Sequence, residues 1–400
     1  MEKWITENEA ASTAWPVFDR EAEEAVLEVL RDGNVSTHGV IQKLEKEYAD
    51  YTGRQYALAH NNGTSALMAA FHALDLLPGD EVLVPTATFW ASVSPMVWNG
   101  LVPVFCESES DTLGIDPDDM RRKITDRTRA VVIVHLWGLP CKIDEIRKVC
   151  QEYDLRIIED ASHAHGASWR GEKCGTLGDI SVFSLQGDKL APAGEGGIFL
   201  TDSYEYWERA ICFWDITRII QLETAQRRFA ATSMGIKTRI APLSAALGRV
   251  TLRNLDEKNA ARNRSHEYLS RKLEELGFDC FLAEDDIHRV YFEFLIRHRD
   301  RGFSVDRFIE ILREHGCSVD RPRYPLLHNQ PFFNEETILR VGRYPVGTII
   351  PKYAHETFNV TEEENRRMIK LPNFCQYNEK LLDQYASAFK RAMDRMECFC

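Results

Sequence analysis

The 400-residue chain has no C-x-x-C pair, no internal repeat, no low-complexity tract and no uninterrupted apolar run of bilayer length. Each absence removes a class of protein. Ten scattered cysteines without paired spacing read as reduced thiols with no metal site; Cys398 and Cys400 stand too close together for a zinc knuckle. The opening MEKWITENEAAS lacks a basic segment followed by an apolar one, so the expectation is a soluble, cytoplasmic protein with no membrane partner. Positive charge is also short. Against 62 Asp and Glu stand 49 Lys and Arg, a net charge of −13, which argues against nucleic acid or an anionic membrane surface as a partner.

What is present is a composition that folds: 44% hydrophobic and 28% charged residues, in a chain long enough for one large and one smaller domain. Between about residues 55 and 200, short apolar runs alternate with amphipathic stretches, as when parallel strands are joined by helices. EVLVPTATF, LVPVFCES, AVVIVHLWG, LRIIEDA, ISVFSLQ and GGIFLTD are the expected strands, with TSALMAAFHALDL and IDEIRKVCQEYD as helices between them. WPVFDREAEEAVLEVLRDG reads as a helix near the start. Residues 203–232 are polar and aromatic with little periodicity. One long helix or two successive ones follow over 241–277, then a strand in VYFEFLIRH and helices in SVDRFIEILREHG and EKLLDQYASAFKRAMDRM. The fold class is therefore α/β, with a mainly parallel sheet flanked by helices in residues 1–250 and a smaller α+β domain in 251–400. In such sheets ligands bind at the carboxyl ends of the strands.

Three segments carry chemistry to that edge. FSLQGDKLAPAGEGG sets a single lysine, Lys189, among small residues; IIEDASHAHG ends an apolar strand in Asp160; and NNGTSALMAAFHAL places Gly63, Thr64 and Ser65 at a helix start, where free amides and the dipole favour an anion. Taken singly, Asp160 reads more often as an ion-pair partner or cap, and Thr64 or Ser65 as an ordinary N-cap. Together they meet the needs of pyridoxal 5'-phosphate: an amine for the Schiff base, a carboxylate for the pyridine nitrogen and a cradle for the phosphate. Ser184 can add a hydroxyl to the phosphate, and Trp90, in TATFW, can stack on the ring. Gly194, Gly196 and Gly197 read as positions of close backbone approach or positive φ.

NGTSAL, PTATFWAS, VHLWGLP, EDASHAHGA, GDISVFS and K-x-x-x-x-GEGG, in this order, resemble the DegT/DnrJ/StrS family of sugar and aminocyclitol aminotransferases, nearest to its cyclitol aminotransferase and 3-amino-5-hydroxybenzoate synthase branch. The resemblance implies fold type I of the pyridoxal-phosphate transferases and a homodimer with shared active sites. It implies Lys189 as the lysine that binds the cofactor and later acts as base, Asp160 at the ring nitrogen and His163 beside the phenolic oxygen. At the phosphate it implies Gly63, Thr64, Ser65 and Ser184, together with Lys237, which stands in GIKTR where the family has an asparagine reaching in from the neighbouring subunit. Burial and nearby positive charge, with Lys237 as the candidate source, are expected to lower the pKa of Lys189. His38, His135, Arg323 and His328 are candidates for the acceptor pocket. The implied reaction transfers an amino group from glutamate or glutamine to a keto sugar, nucleotide-linked or free, or to a keto cyclitol, in secondary-metabolite or polysaccharide biosynthesis. The alternatives are a dehydratase or lyase of the aminohydroxybenzoate synthase type, or a regulatory protein that keeps the fold without turnover.

Overall fold

The computed structural model describes residues 2–36, 38–300, 302–353 and 356–397; Cys398 and Cys400 lie outside them. A seven-stranded sheet is built from β1 (Tyr56–His60), β2 (Glu81–Pro85), β3 (Val102–Cys106), β4 (Thr128–Val134), β5 (Arg156–Asp160), β6 (Ile180–Ser184) and β7 (Gly197–Thr201), in the order β1-β7-β6-β5-β4-β2-β3. Strands β2 to β6 pair in parallel; β7 runs antiparallel to both its neighbours, β6 and β1. The parallel strands are buried on both faces, which is why each reads as an unbroken apolar run. Successive residues serve opposite cores: Val82, Val84 and Val132 pack on one face, Leu83, Val131 and Ile133 on the other. Of the helices α1 (Arg20–Arg31), α2 (Gly39–Thr52), α3 (Gly63–Ala73) and α4 (Ile143–Glu152), all but α2 occupy stretches expected to be helical, with ends trimmed by a few residues.

Elements besides α2 were not anticipated either. The strand β1 is one, a five-residue segment whose YALAH gives only a weak alternation. Another is α5 (Tyr204–Trp214), inside the stretch read as lacking periodicity. Ser203 caps it by accepting from the Tyr206 amide, and Ala210, Ile211, Phe213 and Trp214 bury against α3 and β1. Tertiary burial, rather than a clean amphipathic repeat, makes this helix.

The region 241–277 forms two helices, α6 (Pro242–Arg253) and α7 (Leu255–Glu274). Beyond them β8 (Phe278–Asp279), β9 (Phe294–His298) and β10 (Met368–Leu371) make an antiparallel sheet in that order, packed by α8 (Val305–Glu314) and α9 (Glu379–Glu397) into a third core. Trp4 and Ile5 join this core, Trp4 stacking on His315 at 3.8 Å. Among the described residues no helix is long and apolar enough to cross a membrane, and the eight described cysteines are buried free thiols.

Candidate active site

In-register pairing brings Val134, Asp160 and Val182 side by side, so the ends of β4, β5 and β6 open onto one edge. A cleft of about 990 Å³ lies there. Its floor is set by backbone contacts that only glycine permits. A Cβ on Gly63 would stand 2.8 Å from that of Ser184, and one on Gly197 would collide with the Asn62 carbonyl. The start of α3 is thereby pressed between the end of β6 and the start of β7. Asn62 caps α3 by accepting from the Ser65 amide at 2.8 Å, and the Ser65 hydroxyl donates to Asn61 and Asn62. The amides of Gly63 and Thr64, the first two of the helix, have no intrahelical acceptor and stand beside Ser184 as an anion cradle.

Lys189 lies across this floor, 7% exposed, its amine with no hydrogen bond or ion pair among the described residues; its Nζ sits 4.1 Å from the centroid of the Phe292 ring. Burial lowers its pKa to about 8. Within the chain the cation that adds to this is Arg323, against the opposing pull of Asp160, Glu293 and Asp188. Asp160 is fixed from both sides. Its Oδ1 accepts from the Ser162 amide at 3.1 Å and its Oδ2 from the Ser92 hydroxyl at 2.7 Å, with Thr88 bonded to Ser92 at 2.9 Å.

His163 is 4% exposed and packs against both Phe292 (4.1 Å) and Trp137 (5.5 Å), whose rings also contact each other. Burial first, then Lys189, Arg323 and His165, hold it neutral, well below the usual histidine range. Its Nδ1 accepts from the Trp137 amide at 3.4 Å, which places the ring proton on Nε2, 3.4 Å from the Tyr324 hydroxyl. Phe292 reaches the cleft because its amide donates to the Trp137 carbonyl (3.2 Å) just past β4. Trp90 is half-exposed at the mouth, beside Phe89, whose ring packs 5.2 Å from Tyr324.

The DegT/DnrJ/EryC1/StrS aminotransferase family matches residues 16–389. The chain belongs to this family. Among its relatives, a GDP-perosamine synthase of Caulobacter vibrioides is 36% identical over 66% of this chain and 71% of that protein. An L-glutamine:scyllo-inosose aminotransferase of Streptomyces griseus is 31% identical over 79% of this chain and 78% of its own length. A solved 3-amino-5-hydroxybenzoic acid synthase superposes with a TM-score of 0.81 at 25% identity, covering 99% of this chain and all of that one. As a member of the DegT/DnrJ/EryC1/StrS family the protein is an aminotransferase with pyridoxal 5'-phosphate as its cofactor. The cleft fits that cofactor: a glycine-lined amide cradle for the phosphate, an oriented carboxylate opposite and an unpaired buried amine between them.

Several residues expected in the site lie elsewhere. His38 is engaged away from the cleft, its Nε2 on Asp215 at 2.6 Å, with Arg239 and Thr217 close by. His328 is buried and turned inward between Thr86 (2.7 Å) and Glu362 (3.1 Å), although its neighbours Leu327 and Gln330 line the cleft. His135 is fully buried against Glu159 (2.9 Å), whose oxygens also take the amides of Gly175 and Leu177 and the Ser181 hydroxyl. It is a core histidine. Lys237 is exposed and does not line its own chain's cleft, whereas Ile236 does. Arg323 does line it.

Ser92, Phe89, Phe292, Tyr324 and Glu293 were not singled out from sequence. The available signals were the hydroxyl pair at i,i+4 in TATFWAS and the lone acid in the apolar run VYFEFLIRH.

Proposed function

We propose that the protein moves an amino group from glutamate or glutamine to the ketone of a sugar, nucleotide-linked or free, or of a cyclitol, in the making of a secondary metabolite or polysaccharide. The observation that carries this reading is the buried Lys189 amine, free of hydrogen bonds and with its pKa lowered to about 8, facing Asp160 across the amide cradle. The cofactor supplies an electron sink that acidifies the donor's α-carbon. The Gly63 and Thr64 amides, with the Ser65 turn and the Ser184 hydroxyl, would hold its phosphate; Asp160 would keep its ring nitrogen protonated; His163 would donate from Nε2 to its phenolic oxygen; and Trp90 with Phe89 would wall one side. Lys189 would hold the cofactor covalently and, with its amine free, would serve as the base that carries a proton from the donor's α-carbon to the carbon on the far side of the donor nitrogen. Asp160 is held in one orientation by Ser92 and Ser162.

Keto sugars and cyclitols are favoured as acceptors by the printed activities of the relatives, a perosamine synthase and an inosose aminotransferase. We further read the protein as a cytoplasmic homodimer in which Lys237, exposed in one chain, reaches the partner's phosphate. Residues 1–250 form the cofactor-binding unit, and residues 251–400 close the cleft through Phe292, Arg323 and Tyr324.

The test is the visible absorption of the cofactor-loaded protein. The wild type should be yellow and should bleach with glutamate or glutamine, whereas Lys189→Ala should show neither property; a protein that takes up no cofactor would overturn the reading. Elimination and aromatisation, favoured by the full-length likeness to 3-amino-5-hydroxybenzoic acid synthase, would instead release an aromatic product without consuming a donor.

A further inference from the structure

Arg323 is gripped on two edges by carboxylates of opposite character. On the inner edge its Nε meets Glu293 Oε1 at 2.6 Å; Glu293 is completely buried, also pairs with Lys370 at 3.0 Å, and keeps its Oε2 without a hydrogen-bond partner. That pair has no route to dissolve in solvent. On the outer edge Nη1 meets Asp188 Oδ2 at a looser 3.2 Å, and Asp188 is 53% exposed at the cleft wall. Exposed pairs of this kind contribute little.

The same arginine stands 5.7 Å from the centroid of the Phe292 ring that Lys189 approaches to 4.1 Å, so guanidinium and amine flank one aromatic wall. A guanidinium presents a planar fork that matches a carboxylate, and here one edge is permanently taken while the other is held by a side chain able to swing into water. Asp188 adjoins Lys189 in sequence, which fixes its reach. It occupies the place that an incoming anion would need.

We propose that the outer edge of Arg323 is the anchor for a carboxylate of the amino donor, and that Asp188 is a built-in surrogate ligand which the donor displaces. This rests on the transaminase reading above. The donor's amine must replace that of Lys189, and its carboxylates then fall within reach of the neighbouring cation. Glu293 is a positioning residue: it fixes the plane of the fork and touches no substrate. Phosphate on an acceptor offers the same anionic chemistry, so the experiment separates the two sources.

Glutarate, a dicarboxylate with no amine to transfer, is titrated calorimetrically into the protein as purified. The donor half-reaction is followed separately as loss of visible absorbance against glutamate concentration. Asp188→Asn should tighten glutarate binding and lower the half-saturating glutamate about threefold, with the saturated rate unchanged; Arg323→Gln should raise the half-saturating glutamate more than tenfold, and Arg323→Lys should restore part of the loss. Glu195→Gln, an exposed acid on the same cleft, should leave glutarate binding within error of wild type. Equal tightening by Glu195→Gln would reduce the effect to bulk charge and overturn the proposal, as would an unchanged half-saturation in Arg323→Gln. If Asp188→Asn instead tightens inorganic phosphate and leaves glutarate unmoved, the edge serves an acceptor phosphate and the donor assignment falls. A wild type that binds glutarate through Arg323 yet never bleaches with any donor would refute transamination while leaving the displaced-surrogate geometry standing.

Discussion

Replacing Lys189 by methionine should stabilise the cofactor-free protein near neutral pH. The amine is buried and unpaired, and burial takes its pKa from 10.5 to about 8. At about 1.4 kcal/mol per pKa unit, a native state that keeps this proton is penalised by about 3 kcal/mol wherever the unfolded chain keeps it too, which is below about pH 8. Between about 8 and 10.5 the unfolded chain binds a proton that the native state has released, so wild-type stability rises with pH through that window and the penalty is gone above it. Methionine fills similar space without charge. Urea titrations of both cofactor-free proteins should therefore put Lys189→Met ahead by about 3 kcal/mol at pH near 7, with the lead closing toward pH 10. The Lys189 charge also bears on His163 and His165, but burial is the larger cause that holds both rings neutral, so from neutral pH upward the difference reports chiefly on one amine. Equal midpoints at neutral pH, or a lead that grows as pH rises, would refute the account of Lys189 as a desolvated, unpartnered base.

Three further outcomes follow from the same geometry. Gly63→Ala forces a methyl to 2.8 Å from Ser184 and should weaken cofactor binding by tenfold or more while the circular dichroism of the fold is kept; an unchanged cofactor titration would mean that the start of α3 does not hold the phosphate. Ser92→Ala removes a 2.7 Å hydrogen bond to a buried carboxylate, an interaction of about 2 kcal/mol, and should lower cofactor affinity more than tenfold, with Ser92→Thr recovering most of it. His328→Ala should cost about 2–3 kcal/mol in urea unfolding, because it strands Thr86 and opens a cavity, yet leave the half-saturating glutamate as in wild type; a changed half-saturation would return this histidine to the pocket.

The sheet was legible because parallel strands buried on both faces leave nothing but apolar residues in VLVP and AVVIV, and because Gly-rich punctuation marks where they stop. Lys189, Asp160 and the Gly63 turn were legible for a related reason: each sits at the end of such a run, so topology alone carries them to one edge. Histidines were the opposite case. His135 and His328 lie beside residues that do line the cleft or its approach, and a single turn of backbone decides whether such a ring faces ligand or core. Sequence spacing does not hold that information. Phe292, Glu293 and Tyr324 come from about a hundred residues beyond Lys189 and meet it only through tertiary docking, in particular the hydrogen bond from the Phe292 amide to the Trp137 carbonyl. The helix α5 escaped notice because its aromatics bury on several sides, which blurs the repeat that a one-sided helix would show.

The column of rings formed by Trp137, His163, Phe292 and Tyr324 has a use beyond holding the cleft wall. Trp137 is 5% exposed and stacked 4.9 Å from Tyr324 and 5.5 Å from His163, so its indole emits from a dry, fixed position beside the cofactor's seat. A yellow chromophore placed there absorbs where indole emits. The protein thus carries an internal optical gauge: occupancy, and each passage of an amino group on or off the cofactor, can be read from tryptophan light in unlabelled protein, even with an acceptor whose identity is still being sought.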